Sequence, residues 1–369
     1  MMKLAKIADH RGDLPKGWGD IDIRGLTADS RDVEPGFLFA AILGEANDGG
    51  SFIPEALARG AAALLAAPDV RIEDTALPVL RDQNVRRSLA LMAARFHPRQ
   101  PDTVVAVTGT NGKTSVVAFV RQIWEIMGLR AASLGTVGLV APDIAEPVAH
   151  TTPDPVALHA VLAKLANCGV THLALEASSH GLKQCRLDGV RFAAGAFTNL
   201  SRDHLDYHSD VEDYFDAKSR LFTELLLPGA SAVVNMDTDE GVRIARMAGQ
   251  RGLVVLTVGT SGETIKLLHR ERKGLAQQLV VEAGEQQFDI FLPLVGDFQV
   301  SNALVAAGLT VAAGGQMTMA LRALEYLKGA KGRLELVATS RRGAPVFIDY
   351  AHTPDALKHA LNALRPHAR

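Results

Sequence analysis

The run Val104-Val105-Ala106-Val107-Thr108-Gly109-Thr110-Asn111-Gly112-Lys113-Thr114-Ser115 decides the fold of this chain. Residues 104–108 predict a short strand and residues 114–127 a helix, so a glycine-containing loop joins strand to helix. In that context backbone N–H groups surround phosphate oxygens, Lys113 neutralises charge, and Thr114 is a candidate magnesium ligand. Val107 stands where the general Walker pattern has glycine, which leaves a glycine-rich turn with an incidental lysine as the alternative. The order strand, loop, helix favours nucleotide binding.

The composition excludes several classes of protein. A chain of 369 residues predicts two or three domains. Its 39 basic and 41 acidic side chains give a net charge of -2, so no overall positive field draws it onto nucleic acid. Two cysteines cannot form a disulfide framework, and the amino terminus lacks a secretion signal, so we expect a cytoplasmic protein. We interpret the uncharged residues 298–321 as buried helix broken at Gly314-Gly315, not as a membrane span.

The chain divides into three predicted parts, and its fold class is α/β. Residues 1–97 predict a small α/β domain, which ends at the prolines of His97-Pro98-Arg99-Gln100-Pro101. Through residues 98–331 strand and helix signals alternate, which predicts a mostly parallel sheet with helices on both faces and a β-hairpin over residues 279–294. Residues 332–369 predict two strands and a helix.

A carboxylate, Glu176, follows a further predicted strand at residues 172–175. Because the carboxyl ends of parallel strands meet at one sheet edge, Glu176 is a candidate metal ligand beside the phosphate loop. A lone glutamate at a strand end is more often solvated or a helix cap, and Ser178 and Ser179 could be caps as well.

Two further features stay open on spacing alone. Residues 198–208 crowd His, Asp and Arg after a strand, which is typical of a polar site and of an ordinary loop. Lys218 lies in a predicted helix between apolar residues, where a surface lysine with a solvated ammonium is the simpler interpretation.

The ordered set of motifs resembles the Mur ligase family from about Ala28 to the last residues. Besides the phosphate loop, the matching motifs are His150-Thr151-Thr152-Pro153, residues 176–182, residues 198–208, Ala217-Lys218, residues 296–302, Gly332-Arg333 and Asp349-Tyr350-Ala351-His352-Thr353-Pro354. The resemblance implies a UDP-binding N-terminal domain at residues 1–97, a central P-loop ligase domain that binds ATP at 98–331, and the start of a Rossmann-like C-terminal domain at 332–369.

The resemblance also implies a role for each matching residue. The ATP phosphates would be held by Gly109, Thr110, Asn111, Gly112, Lys113, Thr114 and Ser115, the adenine by Asn302, and the ribose by Arg333 and Asp349. The implied ligands of two Mg²⁺ ions are Thr114, Glu176, His204 and Lys218, the last as a carbamate formed with carbon dioxide, since an ammonium cannot ligate magnesium. The implied catalytic residues are Lys113, Glu176, His204 and Lys218. The muramoyl peptide would contact Thr151, Thr152, Ser178, Gln184 and Arg186, and its uridine end Ala28 and Ser30.

The implied activity is ATP-dependent amide ligation through an acyl phosphate, in peptidoglycan synthesis. The enzyme would add the third amino acid, meso-diaminopimelate by default and lysine as the rival, to UDP-N-acetylmuramoyl-L-Ala-D-Glu. Its partners would be these small molecules and ATP, without nucleic acid, and we expect a monomer.

Two departures from the family pattern leave alternatives open. Residues 45–47 differ from the usual family sequence near the uridine end. The family's third domain continues well beyond residues 349–354 and carries an Asp-Asn-Pro-Arg motif that selects the amino acid, for which we find no match. We therefore expect a fragment, a truncated form or a domain supplied from elsewhere. The alternatives are a catalytically incompetent binding module and another ligase of the superfamily, such as folylpolyglutamate synthetase.

Overall fold

The computed structural model describes residues 1–8, 14–44, 48–72, 75–201, 207–352 and 354–367. Its internal contacts form two compact units. The first unit comprises Met1–Gln100, Pro153–Asn167 and Gln184–Val190, and the second comprises Pro101–Thr152, Cys168–Lys183 and Arg191–Arg369. Residues 153–167 and 184–190, which our sequence boundaries place in the central domain, thus group with the first unit.

The first unit is built on a parallel sheet of four strands in the order β3-β4-β5-β6. Its elements up to residue 100 are β1 (Met2–Lys3), α1 (Leu4–Ala8), β2 (Asp22–Ile23), β3 (Gly25–Thr27), β4 (Phe37–Ala41), α2 (Ile53–Ala58), β5 (Ala63–Ala66), β6 (Val79–Arg81) and α3 (Val85–Phe96). Successive residues of β4 point to opposite faces, so Leu38 belongs to one apolar cluster and Phe39 to another. Both faces of this sheet are therefore covered, as a parallel sheet requires.

The second unit contains a sheet of eleven strands in the order β10-β9-β8-β11-β7-β12-β13-β14-β15-β16-β17. The elements after residue 100 are β7 (Thr103–Thr108), α4 (Lys113–Ile126), β8 (Ala131–Gly135), β9 (Gly138–Ala141), β10 (Ile144–Glu146), α5 (Pro155–Asn167, part of the first unit), β11 (His172–Glu176), α6 (Ser179–Lys183), β12 (Ala194–Phe197), α7 (Val211–Arg220), β13 (Ser231–Asn235), α8 (Asp239–Gln250), β14 (Val254–Gly259), β15 (Ile265–Lys273), β16 (Ala276–Ala283), β17 (Gln286–Leu292), α9 (Asp297–Ala312), α10 (Met317–Ala323), β18 (Glu335–Thr339), β19 (Pro345–Ile348) and α11 (Pro354–Leu364).

The α/β fold class expected from the sequence is confirmed. The parallel centre of the large sheet consists of β8, β11, β7, β12, β13, β14 and β15, in that spatial order. Strands β9 and β10 at one edge and β16 and β17 at the other are antiparallel. The predicted hairpin is β16 and β17. The residue pattern at 191–197 predicts a strand, and the observed β12 begins at Ala194, three residues after the start of that range. Helix α7 ends at Arg220 and continues as a π-helical turn, Leu221–Leu225.

Helix α4 fixes the position of the phosphate loop. Its apolar residues Val116, Phe119, Val120 and Ile123 recur at helical spacing and are buried in the main core of the unit, together with Val105 of β7. The helix begins directly after Gly112 and is followed by Gly128, which has a φ of 79°. The loop is therefore held at the carboxyl edge of the sheet between two buried elements.

The helix α9 carries much of the remaining core and packs against α4. The residues 298–321 are divided between α9 and α10 around Gly314-Gly315, as expected from the sequence. Among the described residues, no helix combines the length and apolar character that crossing a bilayer requires.

Candidate functional site

The phosphate loop is braced by the segment that follows β12. Asn199 accepts a hydrogen bond from Thr110 N through its backbone oxygen at 2.8 Å, and from Asn111 N through its side-chain oxygen at 3.0 Å. Thr198 Oγ1 donates to Asn111 O at 2.6 Å. Because β7 and β12 are parallel neighbours, their carboxyl ends bring these two loops together. The loop is thus held by hydrogen bonds to a neighbouring segment and not by its own backbone alone.

The two loop glycines, Gly109 and Gly112, are required by space and by backbone conformation. Their φ angles are 143° and 91°, in the region that favours glycine. A Cβ atom at Gly109 would overlap Thr198 Oγ1, and one at Gly112 would overlap Asn302 Oδ1. The absence of a Cβ atom therefore lets the loop backbone pack closely against Thr198 at one position and Asn302 at the other.

Two lysines point at the first glycine of the loop. Lys113 Nζ donates to Gly109 O at 2.8 Å and to Thr110 O at 2.9 Å. Lys218 Nζ, on α7, donates to Gly109 O at 2.9 Å. Lys218 is 1% exposed, and its Nζ lies 4.1 Å from the centroid of the Tyr214 ring. Spacing left Lys218 open, with a surface lysine as the simpler interpretation, and that interpretation is wrong because α7 turns this face toward the loop.

Glu176 ends β11, next to β7 in the sheet, and is 1% exposed. Its Oε1 accepts a hydrogen bond from Thr136 N at 2.8 Å, and its Oε2 accepts one from Thr136 Oγ1 at 3.2 Å. It is neither a solvated strand end nor a helix cap. Its carboxylate is fixed at the carboxyl edge of the sheet, at the end of the strand next to β7.

The predicted peptide-contacting residues of this unit form one hydroxyl cluster beside Glu176. Thr152 Oγ1 donates to Glu176 O at 2.8 Å and lies 3.0 Å from Ser178 Oγ. Thr151 Oγ1 lies 3.0 Å from Thr136 Oγ1. This cluster places several neutral hydrogen-bonding groups next to the buried carboxylate.

Of the residues expected to hold the nucleoside, Arg333 and Asn302 lie against the phosphate loop. Arg333 Nη2 donates to Thr114 Oγ1 at 3.2 Å, and its guanidinium lies 5.0 Å from the centroid of the Tyr350 ring. Asp349 accepts hydrogen bonds from Leu334 N and Ala351 N at 2.7 and 2.8 Å. Asn302 is 4% exposed and donates to the side chain of Gln299 at 3.1 Å.

One cavity of about 630 Å³ joins these groups. The sequence-predicted residues that line it are Thr110, Asn111, Gly112, Lys113, Thr114, Ser115, Thr151, Glu176, Ser178, Asn302, Arg333 and Asp349. Three other predicted site residues of this unit do not line the cavity. Gly109 accepts a hydrogen bond from Lys113, Thr152 donates one to Glu176, and Lys218 donates one to Gly109 in the phosphate loop. The cavity is of the size that small-molecule sites have.

Four predicted substrate contacts lie in the first unit instead. Ser30 is buried and its hydroxyl donates to Glu55 Oε2 at 2.6 Å, while Ala28 is exposed. Arg186 donates through Nε and Nη2 to Gln184 Oε1, at 3.1 and 2.7 Å. The predicted metal ligand His204 lies outside the described residues.

A cluster of charged and aromatic side chains surrounds the start of α7. His208 Nδ1 lies 3.2 Å from Asp213 Oδ2, and Lys183 Nζ donates to the same oxygen at 2.7 Å. Burial lowers the pKa of His208, against the opposing effect of Asp213. The hydrogen bond from Lys183 is the main cause that lowers the pKa of Asp213. A neutral imidazole and an ionised carboxylate therefore anchor the helix that carries Lys218.

Within the described ranges, no cluster of three or more His, Cys, Asp or Glu side chains has the arrangement of a metal site. Glu176 and the hydroxyl of Thr114 both line the cavity, so two oxygen ligands of the kind magnesium prefers are available there. Lys218 can join them only if its ammonium is converted to an oxygen-bearing group.

Sequence reasoning missed three contributors, Thr136, Asn199 and Gln299. Thr136 follows β8, which is the parallel neighbour of β11, so the same sheet-edge argument that selected Glu176 could have selected it. Asn199 was included in a motif without a role. Gln299 lies in the matched motif at residues 296–302 but received no role, because its contact with Arg333 depends on the tertiary structure.

Comparison with known proteins places this geometry in a family. Residues 107–310 match the model of the Mur ligase middle domain, and residues 22–97 match that of the Mur ligase family, catalytic domain. The chain is 50% identical over 365 residues to the UDP-N-acetylmuramoyl-L-alanyl-D-glutamate--2,6-diaminopimelate ligase of Brucella melitensis biotype 1, covering 99% of this chain and 75% of that protein. The ligase of the same name from Mesorhizobium japonicum is 51% identical, with 98% and 75% covered.

A solved structure of a ligase with that name superimposes with a TM-score of 0.86 at 29% identity, covering 100% of this chain and 75% of the other. The sequence and structural matches agree over nearly the whole chain. The chain belongs to the Mur ligase family, and it is a ligase.

Proposed function

We propose that this chain is an ATP-dependent amide ligase that joins meso-diaminopimelate to UDP-N-acetylmuramoyl-L-Ala-D-Glu in peptidoglycan synthesis. The observation that carries the proposal is the cavity lined by the phosphate loop, Glu176, Thr151 and Ser178, with Thr152 bonded to Glu176 O and 3.0 Å from Ser178 Oγ behind it. The names of the relatives at 50% and 51% identity support the substrate pair. Those names also favour it over the folylpolyglutamate synthetase alternative.

The phosphate loop is suited to the triphosphate of ATP. The residues Gly109 to Ser115 supply backbone N–H groups, and the start of α4 adds its positive potential. Lys113, which donates to two loop carbonyls in this structure, can turn its ammonium to a phosphate oxygen over a short distance. Asn302 would contact the adenine, and Arg333 and Asp349 the ribose.

We propose two Mg²⁺ ions as cofactors, bound near Glu176. Thr114 and Glu176 offer oxygen ligands, and we include His204 in the set. Lys218 would join as the carbamate formed with carbon dioxide. Its Nζ would keep one N–H in that form, so the hydrogen bond to Gly109 O is compatible with it. The metal ions would neutralise the charge that accumulates between substrate carboxylate and triphosphate.

The reaction joins two anions before it forms the amide. The terminal carboxylate oxygen of the muramoyl dipeptide attacks the γ-phosphorus of ATP, and the bond to the β-phosphate bridging oxygen breaks, which gives an acyl phosphate and ADP. The amine of diaminopimelate then attacks the acyl carbon, phosphate leaves, and the amine loses a proton. Lys113 and the loop N–H groups stabilise the charge in the first step, and Thr151, Thr152 and Ser178 hold the peptide end.

The location and the remaining contacts follow from the same chemistry. A nucleotide-linked substrate and ATP are found together in the cytoplasm, where we place the protein, and neither of the two described cysteines, Cys168 and Cys185, forms a disulfide. In the first unit we assign Ala28 and Ser30 to the uridine end and Gln184 and Arg186 to the muramoyl peptide. We propose that the enzyme acts as a monomer.

The test is release of phosphate by the purified chain. Phosphate should appear only when ATP, Mg²⁺, the UDP-linked dipeptide and diaminopimelate are all present, and mass spectrometry should detect the tripeptide product. Lysine in place of diaminopimelate tests the rival amino acid. Phosphate release without the UDP-linked dipeptide would contradict the substrate assignment. Binding of ATP and of the dipeptide by calorimetry without turnover would instead support the binding-module alternative.

A further inference from the structure

The side-chain amide of Gln299, in the first turn of α9, is buried and bonded at both ends. Its Oε1 accepts a hydrogen bond from Asn302 Nδ2 at 3.1 Å, and its Nε2 donates to Arg333 O at 3.3 Å. Gln299 is 1% exposed and does not line the cavity. It therefore lies behind two residues that we assign to the nucleotide, without touching the nucleotide space itself.

The partners of Gln299 reach the phosphate loop at two points. Asn302 Oδ1 lies so close to Gly112 that a Cβ atom there would overlap it. Arg333 Nη2 donates to Thr114 Oγ1 at 3.2 Å. The contacts thus connect Gly112 of the loop to Asn302, and Asn302 to Gln299. They continue from Gln299 to Arg333, which contacts the loop again at Thr114.

We propose that Gln299 is a positioning residue that fixes the positions of Asn302 and Arg333 relative to each other. Through them it couples nucleotide binding at the phosphate loop to residues 328–334, the segment that leads into β18. This inference rests on the proposed function, because it requires a nucleotide in the loop. A carboxamide suits the task because one planar group offers both an acceptor and a donor. Satisfied at both ends in a buried position, it has little freedom to move.

A second glutamine provides a matched comparison on the same segment. Gln122, on α4, donates through Nε2 to Lys328 O at 3.0 Å and accepts from Lys328 N through Oε1 at 2.8 Å. Gln122 thus hydrogen-bonds the start of segment 328–334, at the backbone of Lys328. Gln299 hydrogen-bonds the end of the segment, at Arg333 O, and also bonds to Asn302. Loss of either amide loosens the segment, but only loss of Gln299 disturbs Asn302.

The experiment compares Gln299→Met with Gln122→Met in the full chain, since methionine has similar length and no N–H donor. Calorimetry with ADP and Mg²⁺ should show a Kd raised about five- to tenfold by Gln299→Met and changed less than about twofold by Gln122→Met. In turnover, Gln299→Met should raise the KM for ATP and leave the KM for the UDP-linked dipeptide unchanged. Equal Kd values for wild type and Gln299→Met, or equal losses in both variants, would overturn the inference.

A second measurement covers the case in which Gln299→Met does not fold. In the wild-type chain, ADP with Mg²⁺ should slow hydrogen exchange of backbone amides in residues 328–334, and Gln299→Glu, which keeps an acceptor for Asn302 and loses the donor to Arg333, should reduce that protection. If the wild-type chain binds ADP without slower hydrogen exchange in residues 328–334, the inference is overturned but the proposed function is not. Absence of ADP binding by the wild type would overturn both the inference and the proposed function.

Discussion

Lys113 and Lys218 direct their ammonium groups to the same acceptor, the carbonyl oxygen of Gly109, at 2.8 and 2.9 Å. Two positive charges repel when they share one neutral acceptor, and water screens them poorly because Lys218 is buried. The convergence of these two cations on one loop carbonyl therefore supports the proposed triphosphate site.

Lys218→Ala tests the role of the buried lysine. Ligation should fall about a hundredfold or more, since a charged ligand in the site is lost. A short-chain carboxylate such as propionate should partly restore phosphate release by filling the space with oxygen ligands. The matched control is Lys266→Ala, at an exposed lysine of β15, which should keep full activity. Wild-type rates in Lys218→Ala without any added carboxylate would exclude the metal role.

Glu176→Gln tests the carboxylate at the end of β11. The amide keeps the shape and an oxygen acceptor for Thr136 N, but it removes the negative charge that a hard cation requires. The Mg²⁺ concentration for half-maximal phosphate release should rise about tenfold or more. Glu125→Gln, at an exposed residue of α4, is the control and should leave the Mg²⁺ dependence unchanged. An unchanged Mg²⁺ titration for Glu176→Gln would remove it from the ligand set.

Gly112→Ala and Gly128→Ala separate backbone strain from crowding, because both positions have a positive φ, 91° and 79°. A Cβ atom at Gly128 would enter open space, whereas one at Gly112 would overlap Asn302. Gly128→Ala should lower the free energy of unfolding by about 1 kcal/mol. Gly112→Ala should lower it by about 3 kcal/mol and should also weaken ADP binding. Urea denaturation and calorimetry measure the two effects, and equal losses would argue against a tight contact between Gly112 and Asn302.

The pH dependence of stability should report on His208. Burial lowers its folded-state pKa below the ordinary 6.5, so between these two values the unfolded chain binds a proton that the folded chain does not. The stabilising contribution is fully present above pH 6.5 and is lost as the pH falls toward the folded-state pKa. Urea midpoints should therefore decrease from pH 7.5 to 5.5, and less steeply in His208→Gln.

The other groups in that range set the size of the expected difference. His97 and His172 also have pKa values lowered by burial, so a residual slope should remain in His208→Gln. The lowered pKa of Asp213 affects the free energy of unfolding in a separate pH range, below about pH 3.8. A slope as steep in His208→Gln as in wild type would show that His208 is not held neutral in the folded chain.

The sequence determined the local elements and the phosphate loop. The apolar run of β7, the helical spacing of α4 and the glycines between them predict strand, loop and helix, because each depends on near neighbours in the chain. The same holds for the β16 and β17 hairpin, whose turn residues are adjacent. Glu176 could be placed at the sheet edge once a parallel sheet was assumed, since strand ends meet there.

Only the tertiary structure decided which distant residues meet. The spacing around Lys218 favours a surface lysine, yet α7 buries it against Gly109, and no local pattern encodes that contact. Thr136 and Gln299 act on residues far away in the chain, through β-strand neighbours and through α9. The grouping of residues 153–167 with the first unit likewise depends on packing. Hydrogen bonds between remote segments, and the burial of their side chains, exist only once the whole chain has folded. Helical or strand periodicity and turn residues, by contrast, can be recognised from residues adjacent in the sequence.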